Sequence, residues 1–216
     1  ERDNLMDTKF KLVQEDTTHI RWRKGGIFNV NINQGTLSNW AAGGDKFSFS
    51  IASSFTGYIA YRNGRHTWDN VLDLAYGYVR TTSLGARKSD DRIDFTSKYG
   101  YNIGDHWFAS ILLNVRTQFT NGYLYDSVPP RLTSRFFSPA YVLLAPGFDY
   151  KPNEALSVFM TPISTRWLFV MDDYLSSLGA YGVDTGKHVL LQVGAYVSVN
   201  YNKEIMKNVI LKSRLD

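Results

Sequence analysis

The residues with the widest chemical repertoire in this chain are its four histidines, His19, His66, His106 and His188. Histidines cluster at metal-ligand spacings when they hold zinc, and a histidine beside a serine supplies the base for a nucleophile. The four are spread through the chain with no zinc-like spacing. His66 falls on an apolar register, which reads as an interfacial residue, and His106 falls in a short turn. His188 follows a segment that carries Ser176 and Ser177. A lipid-modifying barrel enzyme could place a base beside a Ser nucleophile there, but nothing in the sequence fixes the partners, and the plain reading is a polar residue at the barrel mouth.

Other chemistry is thin. There is no cysteine, which removes thiolate ligands and disulfides. The glycine-rich AAGGD at 41–45 lacks the strand-to-helix setting of a phosphate loop. Net charge is +4, but basic and acidic residues alternate without a basic run, so nucleic acid is not an expected partner. The reading is of a non-enzymatic protein with no cofactor.

The elements that must carry these residues are strands. The composition is 15% aromatic, and Glu occurs only at Glu1, Glu15, Glu154 and Glu204, a balance that favours strands over helices. In VLLQVGAYVSVNY, 189–201, every second residue from Val189 is apolar or aromatic, while Gln192, Gly194, Ser198 and Asn200 intervene. Such period-two alternation is a strand with two unlike faces. Nine segments read this way: 27–37, 46–62, 65–80, 91–103, 106–119, 139–150, 155–170, 187–202 and 208–216. No stretch approaches 18 consecutive apolar residues, so no membrane-spanning helix is expected.

The connections alternate in length. NG (63–64), IGDH (103–106), KPNE (151–154) and NKEIMKN (202–208) are short, and SNWAAGGD, TTSLGARKSD, the segment 120–138 and the segment 171–186 are long. Short turns at one end and long loops at the other are the pattern of an outer-membrane barrel. An Asn63-Gly64 turn pairs positions summing to 127, and the turn near Asp105 pairs positions summing to 210. The second register sets Asp94 across from Arg116.

Periodicity alone does not tell lipid-facing from core-facing apolar residues, since a lipocalin-like barrel turns them inward. Three features point outward. Aromatic residues of the apolar face sit near strand ends, as interfacial girdles do. All four Glu lie in the arm or in turns and the polar faces are not studded with Glu and Lys as a soluble surface would be, and the strands exceed the five or six residues usual in soluble sheets. The expected fold is all-β: an antiparallel up-and-down transmembrane β-barrel with about 9 strands here and about 10 to 14 when complete. A polar periplasmic arm, 1–24, precedes the barrel, 25–216, whose closing C-terminal strands are expected to be missing.

QGTLSNWAAGG, WDNVLDLAYGYVR, KSDDRIDFTSKYGY, LLNVRTQFTNGY, LAPGFDYKPNEALSVFMTPIS, GAYGVDTGKH and GAYVSVNYNKEIMKNV resemble the blocks of a Bacteroidota outer-membrane family catalogued as a domain of unknown function. The resemblance runs from about residue 22 to the end. It implies a β-barrel in the cell outer membrane, with members that continue for a few more strands, and it supplies no reaction, ligand or site.

The candidate site is the polar face. Asp69, Asp73, Arg92, Asp94, Lys98, Asn114, Arg116, Gln118, His188 and Gln192 are expected to form a lumen-facing network of both charge signs. A filled lumen suits a structural or accessory subunit of a larger outer-membrane assembly; a porin or small-solute channel is the alternative, and a lipid-modifying enzyme the third. Expected partners are outer-membrane lipid or lipopolysaccharide and other outer-membrane proteins.

Overall fold

The alternating segments form strands in the computed structural model, which describes residues 21–36, 47–153, 155–206 and 209–215. They are β1 (Trp22–Thr36), β2 (Phe47–Asn63), β3 (His66–Thr81), β4 (Gly85–Gly104), β5 (Trp107–Thr117), β6 (Gly122–Leu124), β7 (Arg131–Ser134), β8 (Ala140–Tyr150), β9 (Leu156–Phe169), β10 (Val189–Met206) and β11 (Val209–Leu215). A short helix, α1 (Asp173–Ser177), and a 3-10 turn, Ala180–Gly182, lie between β9 and β10. Nine strands make one antiparallel sheet in the order β1-β2-β3-β4-β5-β8-β9-β10-β11, with β6 and β7 a separate hairpin. Within the described residues β1 and β11 pair on one side only, so the sheet is open.

The nine segments read from the sequence correspond to these nine sheet strands. Three boundaries differ, and one of them is the end of β10, which runs on to Met206, past the 202 read for it. β1 begins at Trp22, so Trp22–Lys24 belong to the sheet, and β4 begins at Gly85. The connection read as the long loop TTSLGARKSD is therefore a tight hairpin end, with β3 and β4 running on as a paired ribbon. Loop 37–46, His19 and the remainder of the N-terminal arm lie outside the described residues.

Register follows from the turns. β4 and β5 pair at a sum of 210 from Ile93↔Thr117 to Asn102↔Phe108, and Ile103 is bulged out before Gly104↔Trp107. β2 and β3 do not pair at 127. Their pairs sum to 129, with Asn63↔His66 and Thr56↔Asp73. Gly64, at φ +55°, occupies the first central position of the turn and Arg65 the second, as in a Gly-X type II′ hairpin, so the loop is Gly64-Arg65 and not Asn63-Gly64. A slide of two residues preserves which side chains share a face.

The faces differ sharply. One carries the buried residues Ala60, Val71, Ala75, Asp94, Ser110, Ala145, Asp149, Phe159, Thr161 and Ser198; we call it the inner face. The other exposes Phe28, Ile32, Ile59, Trp68, Ile111, Phe148, Leu191 and Val193. The sheet curls toward the inner face. Strands three steps apart, such as β4 and β9, would stand about 14 Å apart in a flat sheet, yet the Lys98 ammonium on β4 lies 4.3 Å from the ring centroid of Phe159 on β9.

The outer face also sorts its aromatics by height. Trp22, Tyr61, His66, Trp68, Tyr99, Tyr101, Trp107 and Tyr150 gather near the short turns, with ring pairs such as Trp22–Tyr61 at 4.6 Å and Trp107–Tyr150 at 4.7 Å. Tyr76, Tyr78 and Phe119 gather toward the other end, where Tyr76 and Tyr78 lie 5.7 Å apart. Trp68 and Tyr78 share a strand and a face. Ten residues at about 3.4 Å put about 34 Å of strand between them.

Candidate functional site

Asp94 is the centre of the first inner-face group. Its neighbours follow from the β4–β5 register: Arg116 directly opposite, and Asn114 one step along the same face. Arg116 donates to one carboxylate oxygen through Nε at 3.0 Å and Nη2 at 2.9 Å, and Asn114 donates to the other at 2.6 Å. Asn114 also reaches Thr96 Oγ1 at 2.9 Å. On its other side Asp94 faces Asp73 across β3, two like charges at opposed positions. Such pairs repel, and the donors on each carboxylate, including the Thr56 hydroxyl on Asp73, offset the repulsion.

The second group is more buried. Asp149, 1% exposed, accepts from Lys98 Nζ and from Ser110 Oγ, both at 2.6 Å. Asp69 stands directly across from Lys98 in the β3–β4 register. Lys98 nevertheless extends over β5 to Asp149, and Asp69 pairs with Arg62 at 2.6 Å. The curl explains the choice, because it brings β8 and β9 within reach of a lysine on β4. Sequence reasoning missed Asp149. The β5–β8 connection is too long to fix a register by counting, so its height and partner could not be read.

The remaining expected members lie toward the long-loop end and do not join these groups. Gln118, just past β5, donates to the Thr120 carbonyl at 3.2 Å. Arg92 precedes Asp94 by two positions on the inner face, and its Nε is buried with no hydrogen-bond partner among the described residues. Gln192 pairs with Arg166 in the β9–β10 register and is exposed. His188 Nδ1 lies 2.8 Å from the Val170 carbonyl oxygen. Ser176 Oγ donates to the Lys187 carbonyl and Ser177 Oγ to the Tyr174 carbonyl, both at 2.7 Å. Neither serine shares a hydrogen bond with His188 among the described residues. His66 Nδ1 meets the Tyr99 hydroxyl at 2.6 Å on the outer face, and His106 takes φ +66° in the β4–β5 turn.

A cap closes over this end. Leu168, Val170, Leu175 and Val183 form a buried cluster, with Leu132, Tyr141, Ala180 and Leu190 packed on it. The apolar side chains thus tie α1 and the β6–β7 hairpin to the tops of β8, β9 and β10. Asp172 fastens the joint. Its carboxylate caps α1 at Leu175 N, 3.0 Å, and pairs with Arg135 at 2.7 Å, and its own N–H donates to Ser138 Oγ at 2.8 Å. Tyr181 donates to the Thr133 carbonyl at 2.5 Å, and burial pushes its phenol above the ordinary tyrosine range. At the rim, the Lys187 ammonium holds Asp184 below the usual carboxylate range. Asp91 anchors the loop after β5, accepting from Lys88 Nζ at 2.7 Å, Phe119 N at 2.7 Å and Thr120 N at 2.9 Å.

Fold and site together define an all-β protein built on one curled nine-stranded antiparallel sheet, with a polar inner face and a packed cap at one end. Residues 32–123 match the model of a family described as "Protein of unknown function (DUF3078)", a span from within β1 to the first strand of the cap hairpin. No curated protein and no solved structure matches the chain at a significant level.

Proposed function

We propose that the curled sheet is wall of a transmembrane β-barrel in the outer membrane, and that the protein is a structural or accessory subunit of a larger outer-membrane assembly, without a catalytic step of its own. The observation that carries the membrane reading is the outer face. Large apolar side chains stand exposed along it, Phe28 at 67%, Val193 at 66% and Ile163 at 61% among them, between two aromatic tiers. Water would oppose that surface strongly, and hydrocarbon would not.

The inner face supports a subunit over an open pore. Lys98 bridges from β4 to β8, and the cap packs over the tops of β8, β9 and β10. A porin remains the second reading because of one stretch: Asn29, Asn31 and Asn33 stand exposed on β1 opposite Ser54, Ala52 and Ser50, small uncharged partners that leave room for water. Planar-bilayer recording separates the two. A filled interior gives no stable open conductance, and the protein then co-purifies with fixed partners in mild detergent. A reproducible open-channel conductance from the protein alone would promote the porin.

A further inference from the structure

The outer face is not uniform. Between β1, β2 and β3 it sinks into a groove of about 610 Å³, within the range of small-ligand sites. Four rows of paired residues describe it. Nearest the short turns is the aromatic row Trp22↔Tyr61↔Trp68↔Tyr99; next comes Lys24↔Ile59↔Asn70; then Gly26↔Gly57↔Leu72↔Phe95; then Phe28↔Phe55↔Leu74. The floor is low because Gly26 and Gly57 face each other across the strands. A Cβ on Gly57 would lie 2.9 Å from the Phe55 ring, and one on Gly26 would lie 3.1 Å from the Thr56 carbonyl oxygen.

The groove has a polarity. Its long axis is apolar, lined by Phe28, Phe55, Ile59, Leu72 and Phe95, and a cation, Lys24, stands at the end toward the aromatic tier. Among the described residues no carboxylate pairs with Lys24, and it is exposed. Lys24 lies two residues along β1 from Trp22, or about 5 Å nearer the midplane at a 45° tilt. That is within the reach of a lysine stem that lays its methylenes on apolar surface and puts its ammonium at headgroup level.

We propose that this groove is a binding site for a single glycerophospholipid, held by its phosphate on Lys24 and by one acyl chain lying over Gly26 and Gly57. The proposal rests on the membrane reading above. The occupant is chosen by charge and direction together: an anion at the aromatic tier continued by a hydrocarbon chain toward the midplane is the shape of a phospholipid. A partner strand or a second copy of the chain would have no need of the cation at that end.

The test uses the full chain in detergent micelles, given either a phosphatidylglycerol or a diacylglycerol with the same chains and no phosphate. Native mass spectrometry counts the lipid retained. Wild type should keep phosphatidylglycerol and lose diacylglycerol. Lys24→Gln should lower phosphatidylglycerol retention about fivefold, the factor that matches about 1 kcal/mol per basic residue at an anionic lipid surface. Leu72→Trp, which fills the groove from its wall, should abolish retention. Equal retention of the two lipids, or unchanged retention in Lys24→Gln, overturns the site. So does a dimer that Leu72→Trp breaks apart, which would assign the groove to a second copy. Vesicle flotation of wild type and Lys24→Gln runs alongside. If neither floats, the membrane reading fails and the proposal with it; if both float and lipid retention is indifferent to Lys24, the lipid site alone fails.

Discussion

Lys98 and Asp149 stand on strands separated by β5, yet their charges meet at 2.6 Å over the inner face. The carboxylate is 1% exposed and the lysine side chain 26%. At that burial the pair is not a surface ornament. Asp149→Asn should lower stability by about 3 kcal/mol, because it strands the ammonium in a site with little water. Lys98→Met with Asp149→Leu should be less damaging than either single change, since two matched apolar side chains leave no orphan charge. The temperature at which the folded form loses its altered gel mobility measures both.

Asp94 and Arg116 look similar in outline and should behave differently. The Arg116 side chain is 59% exposed and that of Asp94 only 11%. Arg116→Gln should therefore cost about 1 kcal/mol or less, as solvent-screened pairs do. Asp94→Leu removes the acceptor for Asn114 as well as for Arg116 and should cost about 2 kcal/mol. Equal losses in thermal melts would show that Asn114 contributes nothing.

The two faces of β10 permit a direct comparison. Val193 and Gln192 are adjacent, exposed and on opposite faces. Val193→Arg should cost about 2 to 4 kcal/mol at membrane midplane, and Gln192→Arg far less. Folding into vesicles, followed by protease protection, reads the difference. Equal damage would favour a soluble sheet.

Topology follows from the cap. Val128, at the tip of the 120–138 loop, is 100% exposed, and Asn153 lies in a short turn at the far end of β8. Val128→Cys should react with an impermeant maleimide on intact cells and Asn153→Cys should not. The opposite pattern would invert the orientation.

Tyr181 gives the cap a pH dependence. Burial raises its phenol in the folded state, so folding favours the protonated form. The contribution is fully present below about pH 10, the ordinary tyrosine value, and is lost as pH rises past it. Limited proteolysis at Arg131 and Arg135 should accelerate above that pH in wild type. In Tyr181→Phe the added step should vanish, with the cap looser at every pH.

Much of the sheet was legible because its information is local. Alternation in 189–201 fixes two faces without knowledge of any partner, and the turn at Asp105 fixes the Asp94↔Arg116 pairing to the residue. The β2–β3 pairing came out two residues off because Asn63-Gly64 and Gly64-Arg65 are both acceptable hairpin turns, and only the backbone at Gly64 decides between them. The cap was not legible. A helix of five residues and strands of three and four have no room for a period. Asp149 was hidden for a related reason, since its partner lies across a connection whose length carries no register.

That same connection divides the assembly of the protein in time. The joins β2–β3, β3–β4 and β4–β5 are hairpins, so β2 to β5 zip together by successive local closures. The joining of β5 to β8 must close residues 118–139, a loop roughly tenfold longer than a two-residue turn, at an added entropy of about 2 kcal/mol. Leu132 packing on the Leu168 and Val170 cluster is the contact that offsets it. The chain therefore has a seam after β5, with the cap acting as the clasp. A cap mutation such as Leu132→Ala should slow the appearance of the complete sheet more than it alters either side of the seam.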